Sequence, residues 1–579
     1  MNIANWFTTR ERWSTILVGI LLGILLIVSI LSVKDDSMTG DEVIYPSAGY
    51  SYLLYHRYDI NIEHAPLLKM IEAFPYIFLR PTLEEKELDT SSEWRFGENF
   101  FFTNNHNNTD LLLFWSRMMM IILMIGFGLF LYWAIKRWWG KTAALISLFL
   151  FTFSPTIIAH GRLASLDFGV MAFMFASTYF FIEWLQKPSW KNTWIAGILF
   201  GLAQVSKFTA LFLLPLYILL FIIKLLIRNK NALKQLKTYL IQGVSMAVIG
   251  IIMIWSVYFF ASYRTSPLLI QQKISEVTTP TSFDLLETPL QILNQSSISR
   301  PLVIYGVGVI KSYIYNKGPI TNFPQYLFGS FNDMGWWYYY LLAYLIKEPL
   351  PTLLLLLLSA GFFMRKGKTV SILSSLDFRD IALWIMIIGI TFLMTMGNLN
   401  IGLRYFLPVF PFIYVFIGRS WSTLLHSTWE KGYIVIGTFL CIWLVYNNVT
   451  IFPSYLANFN ELIGGPQNGY HYLIDSNIDW GQDLIRLNTW AKEHNIEQLY
   501  LDYFGRQGDI SHYLKDVHIT PWSVDQGLPK GYLAVSVTYL QTSKYWKEKR
   551  GGKGFSYEPL EKQSPIARIG YSIYVYDLN

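Results

Sequence analysis

The chain has 579 residues, of which 53% are hydrophobic and 15% charged, against roughly a quarter charged in an ordinary soluble domain, and its mean hydropathy is +0.34. That composition excludes a soluble globular protein. The formal charge of +7 comes from 46 Lys and Arg against 39 Asp and Glu, but the cations stand in short clusters beside apolar runs, which reads as membrane topology and not as nucleic-acid binding.

A helix needs about 20 apolar residues to cross the hydrocarbon, and shorter runs pass only where protein surrounds them. Eleven runs qualify: 14–33, 112–135, 142–159, 168–185, 193–205, 208–227, 239–261, 337–362, 379–397, 404–423 and 432–452. The fifth is short and the tenth contains two prolines. The first follows Arg10, Glu11 and Arg12; it is long and lacks a small-x-small cleavage site, so it reads as a helix and not a signal peptide. With the N-terminus cytoplasmic, the inner turns collect Lys136, Arg137 and Lys141, then Lys187 and Lys191, then Lys224, Arg228, Lys230, Lys234 and Lys237, then Arg365, Lys366 and Lys368, as the positive-inside rule requires. The outer side then receives residues 34–111, 262–336 and the tail from 453.

The tail is a different material. Strand-like stretches (Gln498 to Tyr503, Gly531 to Val537, Ser572 to Tyr576) alternate with a helical one, Asp483 to Glu493, between polar turns, which describes a small soluble α/β domain. The expected architecture is an all-α polytopic membrane domain over 1–452, with outer loops 34–111 and 262–336, followed by an extracytoplasmic α/β domain over 453–579. The only cysteine, Cys441, lies in an apolar run, so neither an intrachain disulfide nor a cysteine-based metal site can form.

Ionisable residues that a membrane protein ordinarily avoids gather on one side of this topology. Asp41 and Glu42 follow the first run; Glu63, His64 and Lys69 lie in the same outer loop; Arg162 and Asp167 join the third and fourth runs; Lys207 joins the fifth and sixth; Arg404 opens the tenth. Every one falls outside. Adjacent carboxylates such as Asp41 and Glu42 can supply a general base and its electrostatic partner, although such pairs are also common in solvated turns. Glu63 and His64, with Glu42, are the residues that could hold a divalent cation, but neighbours in sequence diverge in either regular structure, and a lone His is more often a hydrogen-bonded structural group. Lys69 is a compact charge suited to a phosphate. Arg162 offers a planar fork for phosphate oxygens with Asp167 to orient it, or the two form an ion pair capping a helix. Lys207 and Arg404 snorkel to headgroups or, converging with Arg162, hold an anionic group.

A lipid-borne phosphate held by Arg162, Lys207 or Arg404, with a carboxylate activating an acceptor hydroxyl, meets the requirements of inverting sugar transfer. The sequence has no nucleotide-phosphate loop, and a lipid-linked donor fits a site outside the cytoplasm.

The residues that carry this reading resemble the GT-C glycosyltransferases of the protein O-mannosyltransferase and aminoarabinose transferase type, glycosyltransferase family 39. The resemblance rests on Gly40-Asp41-Glu42; on His64-Ala65-Pro66-Leu67-Leu68-Lys69; on Arg162 with Asp167; on Ser206-Lys207-Phe208-Thr209-Ala210; on Gly335-Trp336-Trp337-Tyr338-Tyr339 with Lys347-Glu348-Pro349-Leu350; and on the stretch from Asn400 to Pro408. It spans roughly residues 40–420, and the segment from Asp475 to Asp483 is similar to the tail of bacterial members. Ala65 stands where the family has the first of two prolines. The resemblance implies a polyprenyl-phosphate sugar donor, inverting transfer at the outer face of a cell membrane, Asp41 as the catalytic carboxylate with Glu42 assisting, Arg162 as a ligand of the donor phosphate and Lys207 beside it. The acceptor stays open between a protein, a glycolipid and a cell-wall polymer. The rival reading is a transporter or lipid flippase, which predicts ionisable residues at helix midpoints as well; Lys347 and Glu348 are the main pair of that kind.

Overall fold

The computed structural model of the chain describes residues 3–89, 92–227, 232–279, 281–317, 324–367, 377–425, 430–505 and 507–579. Of the cations counted for sidedness, Arg228, Lys230 and Lys368 lie outside these residues. The chain is a bundle of long apolar helices with a small sheet at its C-terminal end. Among the described residues seven helices are long and apolar enough to cross a membrane, or eight when the bent pair Tyr339–Lys347 and Leu350–Phe363 is taken as one span. Their outward faces expose large apolar side chains, with Leu226 at 70% and Val435 at 69%, a surface that only lipid would cover at little cost. The protein is a multi-pass membrane protein.

Eleven spans were expected, and the differences have local causes. The runs 112–135 and 142–159 share one helix, Thr109–Thr152, whose backbone breaks at Gly140 with φ +86°. The second of them stops early because Ser154 and Pro155 start a new short helix, Pro155–Gly161, where Ser154 Oγ accepts the Ile157 N–H at 3.2 Å and proline takes the first turn, where no N–H is needed. The fifth run forms a helix of only 15 residues, Trp190–Gln204. It packs closely on Ala232–Ser262, since a Cβ at Gly201 would stand 2.8 Å from the Gly250 carbonyl oxygen, the small-residue contact typical of membrane helices. The tenth opens as a tight 3₁₀ turn, Leu403–Val409, before the helix Phe410–Leu424. Pro408 and Pro411 lack the amides that an α-helix starting at Arg404 would donate to the carbonyls of residues 404 and 407.

The bent pair turns through 115° at Glu348 and Pro349, freeing carbonyls that hydrocarbon could not satisfy. The segment after the last span takes them up. Asn460 donates from Nδ2 to Leu345 O and Glu348 O, each at 2.7 Å, and from its backbone to Ile346 O at 2.9 Å, while Asn458 Nδ2 reaches Lys347 O. Lys347 returns the tie, its Nζ donating to Leu456 O, Asn458 O and Asn477 O. The change of composition at residue 453 therefore marks no gap in packing, and residues 455–484 are built into the end of the bundle.

Beyond them lies a five-stranded sheet in the order β4-β3-β5-β7-β6, where β3 is Gln498–Asp502, β4 His518–Pro521, β5 Tyr532–Ser536, β6 Ala567–Ile569 and β7 Ile573–Asp577; the pair β1 (Gln325–Leu327) and β2 (Ser330–Asn332) stands apart. β3 runs parallel to β4 and β5, and β7 antiparallel to β5 and β6. The three expected strands are β3, β5 and β7, and the expected helix is Leu484–Glu493. The sheet edges β4 and β6 went unread because they are four and three residues long, too short for a period to register.

Within residues 34–111 the helices Tyr45–Tyr55 and Pro66–Ala73 touch backbone to backbone, and a Cβ on Gly49 would stand 1.9 Å from the Lys69 carbonyl oxygen. Gly49→Ala should therefore force the helices apart and cost about 1–3 kcal/mol, read as a lower thermal midpoint of the purified protein.

Candidate active site

Asp41 and Glu42 sit in one tight turn, Gly40–Val43, and point to opposite fates. Glu42 is fully buried. Its carboxylate accepts from the Thr39 amide and hydroxyl (2.9 and 3.0 Å), from the Ala164 amide (2.9 Å) and from Arg117 Nε and Nη2 (2.8 and 2.7 Å). Arg117 also donates to the carbonyls of Val33, Asp36 and Ser37. Five donors saturate Glu42, so it has no capacity left for chemistry; the expectation that it assists at the reacting centre is corrected to that of an anchor for the turn. With Glu42 drawn inward, Asp41 faces a cavity.

That cavity holds about 630 Å³, within the range of small-molecule sites, and is lined by Asp41, Tyr45, Glu63, His64, Lys207, Lys311, Arg404, Asp475 and Trp480 among others. Arg404 comes from the 3₁₀ turn after Gly402. Its Nη1 reaches Asp41 Oδ2 at 2.5 Å and Asp167 Oδ2 at 3.5 Å. Asp167 opens the helix Leu166–Gln186, where the helix dipole favours a carboxylate, and its Oδ1 accepts from Lys207 Nζ. Lys207 lies 4.4 Å from the Tyr405 ring centre, and the Arg404 guanidinium 4.1 Å from that of Trp480. Tyr45 donates its hydroxyl to Asp41 Oδ2 at 3.2 Å. The result is a row of alternating charge, Lys207, Asp167, Arg404, Asp41, from four separated parts of the chain. Arg404 Nε is buried and has no partner among the described residues, leaving a strong donor for an anion.

A second polar group also lines the cavity. Lys311 Nζ meets Glu63 Oε2 at 3.0 Å, and Asn61 Nδ2 donates to Glu93 Oε2 at 2.9 Å. Burial would raise Glu63, but the Lys311 ammonium holds it down at about 2. Burial, then the Glu63 charge, push Glu93 up to about 7. Burial and then Lys207 push His64 down to about 4, so its imidazole is neutral at neutral pH.

Two expected phosphate ligands do not line this cavity. Arg162 is buried, with Nη2 at 2.8 Å from Asp36 Oδ2; Asp36 also binds Arg486 at 2.6 Å, so Arg162 belongs to a buried ion network behind the site. Its Nε and Nη1 have no partner among the described residues. Lys69 is fully buried and donates to Tyr52 Oη (3.0 Å), Asn61 O (2.8 Å) and Asn61 Oδ1 (3.0 Å), which makes it a clasp for Asn61; burial lowers it to about 7. Nor do Glu42, Glu63 and His64 fit a cation: Glu42 is committed to Arg117 and Glu63 to Lys311, and among the described residues no three His, Cys, Asp or Glu side chains form a metal-binding group. The pair Lys347 and Glu348, which a transport reading would place in a passage, lies outside the cavity lining, with Glu348 Oε1 accepting from Thr156 Oγ1 at 2.7 Å.

Lys311 and Glu93 are not singled out by the sequence. Arg117 shows there only as a cation near the end of the run 112–135, and Trp480 only as part of the segment from Asp475 to Asp483 that the resemblance draws in.

Glu42→Ala should strand Arg117 in the interior and cost about 3–5 kcal/mol, whereas Asp41→Asn should leave the thermal midpoint near that of the parent; unfolding curves of the two variants check the division of roles. Glu93 gives a pH test. Its folded value of about 7 lies above the ordinary 4.5, so the folded state binds the proton more tightly, and this contribution is full below about 4.5 and lost as pH rises through 7. Glu93→Gln should flatten the fall in thermal midpoint between pH 5 and pH 8 relative to the parent.

Comparison with known proteins adds a family match over one part of the chain. Residues 106–255 match the family described as dolichyl-phosphate-mannose-protein mannosyltransferase. No curated protein matches. Among solved structures, ArnT from Cupriavidus metallidurans bound to undecaprenyl phosphate is 13% identical, with 96% of this chain and 97% of that chain covered and a TM-score of 0.45. The archaeal oligosaccharyltransferase AglB from Archaeoglobus fulgidus is 12% identical over 96% of this chain and 72% of that one, at a TM-score of 0.47. The Pmt1-Pmt2 protein O-mannosyltransferase complex of S. cerevisiae is 17% identical over 47% and 37%, at 0.35. Over the part that carries Arg117, Asp167 and Lys207, the chain is similar to membrane glycosyltransferases of the mannosyltransferase type.

Proposed function

We propose that the cavity transfers one sugar, a hexose or a pentose, from a polyprenyl-phosphate carrier to an acceptor hydroxyl at the outer face of a cell membrane, with inversion at the anomeric carbon. The acceptor is a protein, a glycolipid or a cell-wall polymer. The observation that carries the reading is Asp41 opening on the cavity while its charged partner Arg404 keeps a buried N–H without an acceptor among the described residues. The match to a family that uses a lipid-phosphate donor agrees with it. The positive-inside pattern supports a cytoplasmic N-terminus, with the cavity and the C-terminal sheet outside.

In this reading the acceptor oxygen attacks the anomeric carbon as the bond from that carbon to the phosphate oxygen breaks. The acceptor proton passes to the Asp41 carboxylate, and the electron pair of the broken bond leaves on the polyprenyl phosphate. Arg404 and Lys207 hold the phosphate; Asp167 spaces the two cations, accepting from Lys207 and lying 3.5 Å from Arg404 Nη1. A leaving phosphate stabilised by cations needs no general acid. Tyr45 orients Asp41 through its hydroxyl.

Asp41→Asn keeps the shape and loses the basicity, so transfer should fall by about 10²- to 10⁴-fold. Mass spectrometry of lipids from cells carrying the parent, a deletion or Asp41→Asn should then find polyprenyl-phosphate sugars accumulating in the last two. Equal turnover by parent and variant, with donor lipid present, would remove Asp41 from the chemistry.

A further inference from the structure

The segment from Asp475 to Gln482 enters the bundle from the C-terminal side, and its contacts converge on two residues of the proposed transfer. The backbone around Arg404 hangs on it: Leu403 N–H donates to Asn477 Oδ1 at 2.9 Å, and Ser476 Oγ donates to Ile401 O at 3.0 Å. A Cβ at Gly402 would stand 2.3 Å from Ser476 Oγ, so the two strands of chain pass as closely as glycine allows. The loop that carries Asp41 is tied to the same segment, with Gly40 N–H donating to Trp480 O at 3.1 Å, Ser37 N–H to Gln482 O at 2.9 Å and Ser37 Oγ to Gly481 O at 2.7 Å. Between the two attachments stands the Trp480 side chain. It is 5% exposed, lines the cavity, and lies with its ring centre 4.1 Å from the Arg404 guanidinium carbon. Nη1 on the guanidinium edge meets Asp41 and Asp167, and Nε has no partner among the described residues.

We propose that Trp480 is a positioning residue of the transfer site: its indole face fixes the plane of Arg404, and its backbone fixes the loop of Asp41, so that base and phosphate ligand are held at one spacing by a segment distant from both in sequence. The inference rests on the proposed function for what Arg404 binds, and on geometry alone for the positioning. An aromatic face is the required feature, so Phe substitutes for Trp and Ala does not. Because Trp480 acts through Arg404, its loss has little left to remove once Arg404 is gone.

The test uses the full chain in lipid nanodiscs, with undecaprenyl phosphate as the probe, for the parent, Trp480→Ala, Trp480→Phe, Arg404→Ala and the double variant Trp480→Ala/Arg404→Ala. Trp480→Ala should weaken probe binding roughly 10- to 30-fold, the size of a desolvated cation–π contact, Trp480→Phe by less than about threefold, and Trp480→Ala added to Arg404→Ala by less than about twofold. Equal losses in both backgrounds, or no loss in Trp480→Ala, overturn the proposal. Hydrogen exchange of the same proteins without probe separates positioning from function: the peptide covering 400–406 should exchange faster in Trp480→Ala and at the parent rate in Trp480→Phe, while 37–43, held by backbone carbonyls of residues 480–482, should keep the parent rate in both. If the parent fails to bind the probe while exchange follows this pattern, the functional reading falls and the positioning role stands; exchange unchanged in Trp480→Ala rejects the role whatever the probe does.

Discussion

A charge buried at the end of a helix bundle must be paired, and the alternating row Lys207, Asp167, Arg404 and Asp41 is how this protein meets that demand in its cavity. Removing an inner member, Asp167 or Arg404, leaves a neighbour uncompensated in a medium where solvation is poor, whereas Asp41 stands at the end of the row and its loss leaves Arg404 still beside Asp167. The row therefore fixes four chain segments relative to one another: the turn after the first helix, the start of Leu166–Gln186, the turn before Phe208–Phe212 and the turn Leu403–Val409. Behind it, Glu42 with Arg117, and Asp36 with Arg162 and Arg486, are ion networks turned inward. The distinction between them and the row is access. Asp41, Arg404 and Lys207 line the cavity, and the inward networks do not.

The same end of the bundle depends on a second constraint, the satisfaction of backbone groups where a helix breaks. The turn at Glu348 and Pro349 leaves four consecutive carbonyls, from Leu345 to Glu348, and all four accept from Asn458 or Asn460. A broken helix at membrane depth is tolerated only when protein supplies such partners. The segment that supplies them leads directly to Asp475 and Trp480 in the cavity wall. Breaking the helix and completing the site are thus served by one stretch of chain, and the C-terminal sheet is attached through that stretch to the membrane half.

How much of this the sequence discloses follows from the range of each interaction. Apolar runs and clustered cations are local, so the helices and their common polar end are legible, as are β3, β5 and β7. Asp41, Lys207 and Arg404 are legible as a group because each breaks an apolar run on the same side. The direction of a side chain within a tight turn is not: Asp41 and Glu42 are neighbours, and only the arrival of Arg117 from another helix decides which of them is drawn inward. Arg162 misleads for the same reason. Asp167, five residues on, looks like its partner, yet the pairing is with Asp36 across the bundle, and Asp167 turns instead to Lys207 and Arg404. Lys311 gives no sign because its meaning depends on Glu63, far away in sequence.

The charge balance of the row bears on the proposed chemistry. Two cations and two carboxylates sum to zero, so the row itself carries no surplus to repel either substrate. A polyprenyl phosphate sugar enters with one negative charge, which Arg404 Nε and Lys207 meet without giving up their carboxylates. As transfer proceeds, the leaving phosphate gains negative charge while Asp41 gains the acceptor proton and loses its own. Arg404 is then released from one partner as the demand of the other rises, with little movement of a guanidinium whose carbon already lies 4.1 Å from the Trp480 ring centre. A cation placed between base and leaving group in this way couples the two halves of the reaction: the phosphate is stabilised most when the base has done its work, which is the differential stabilisation that lowers a barrier.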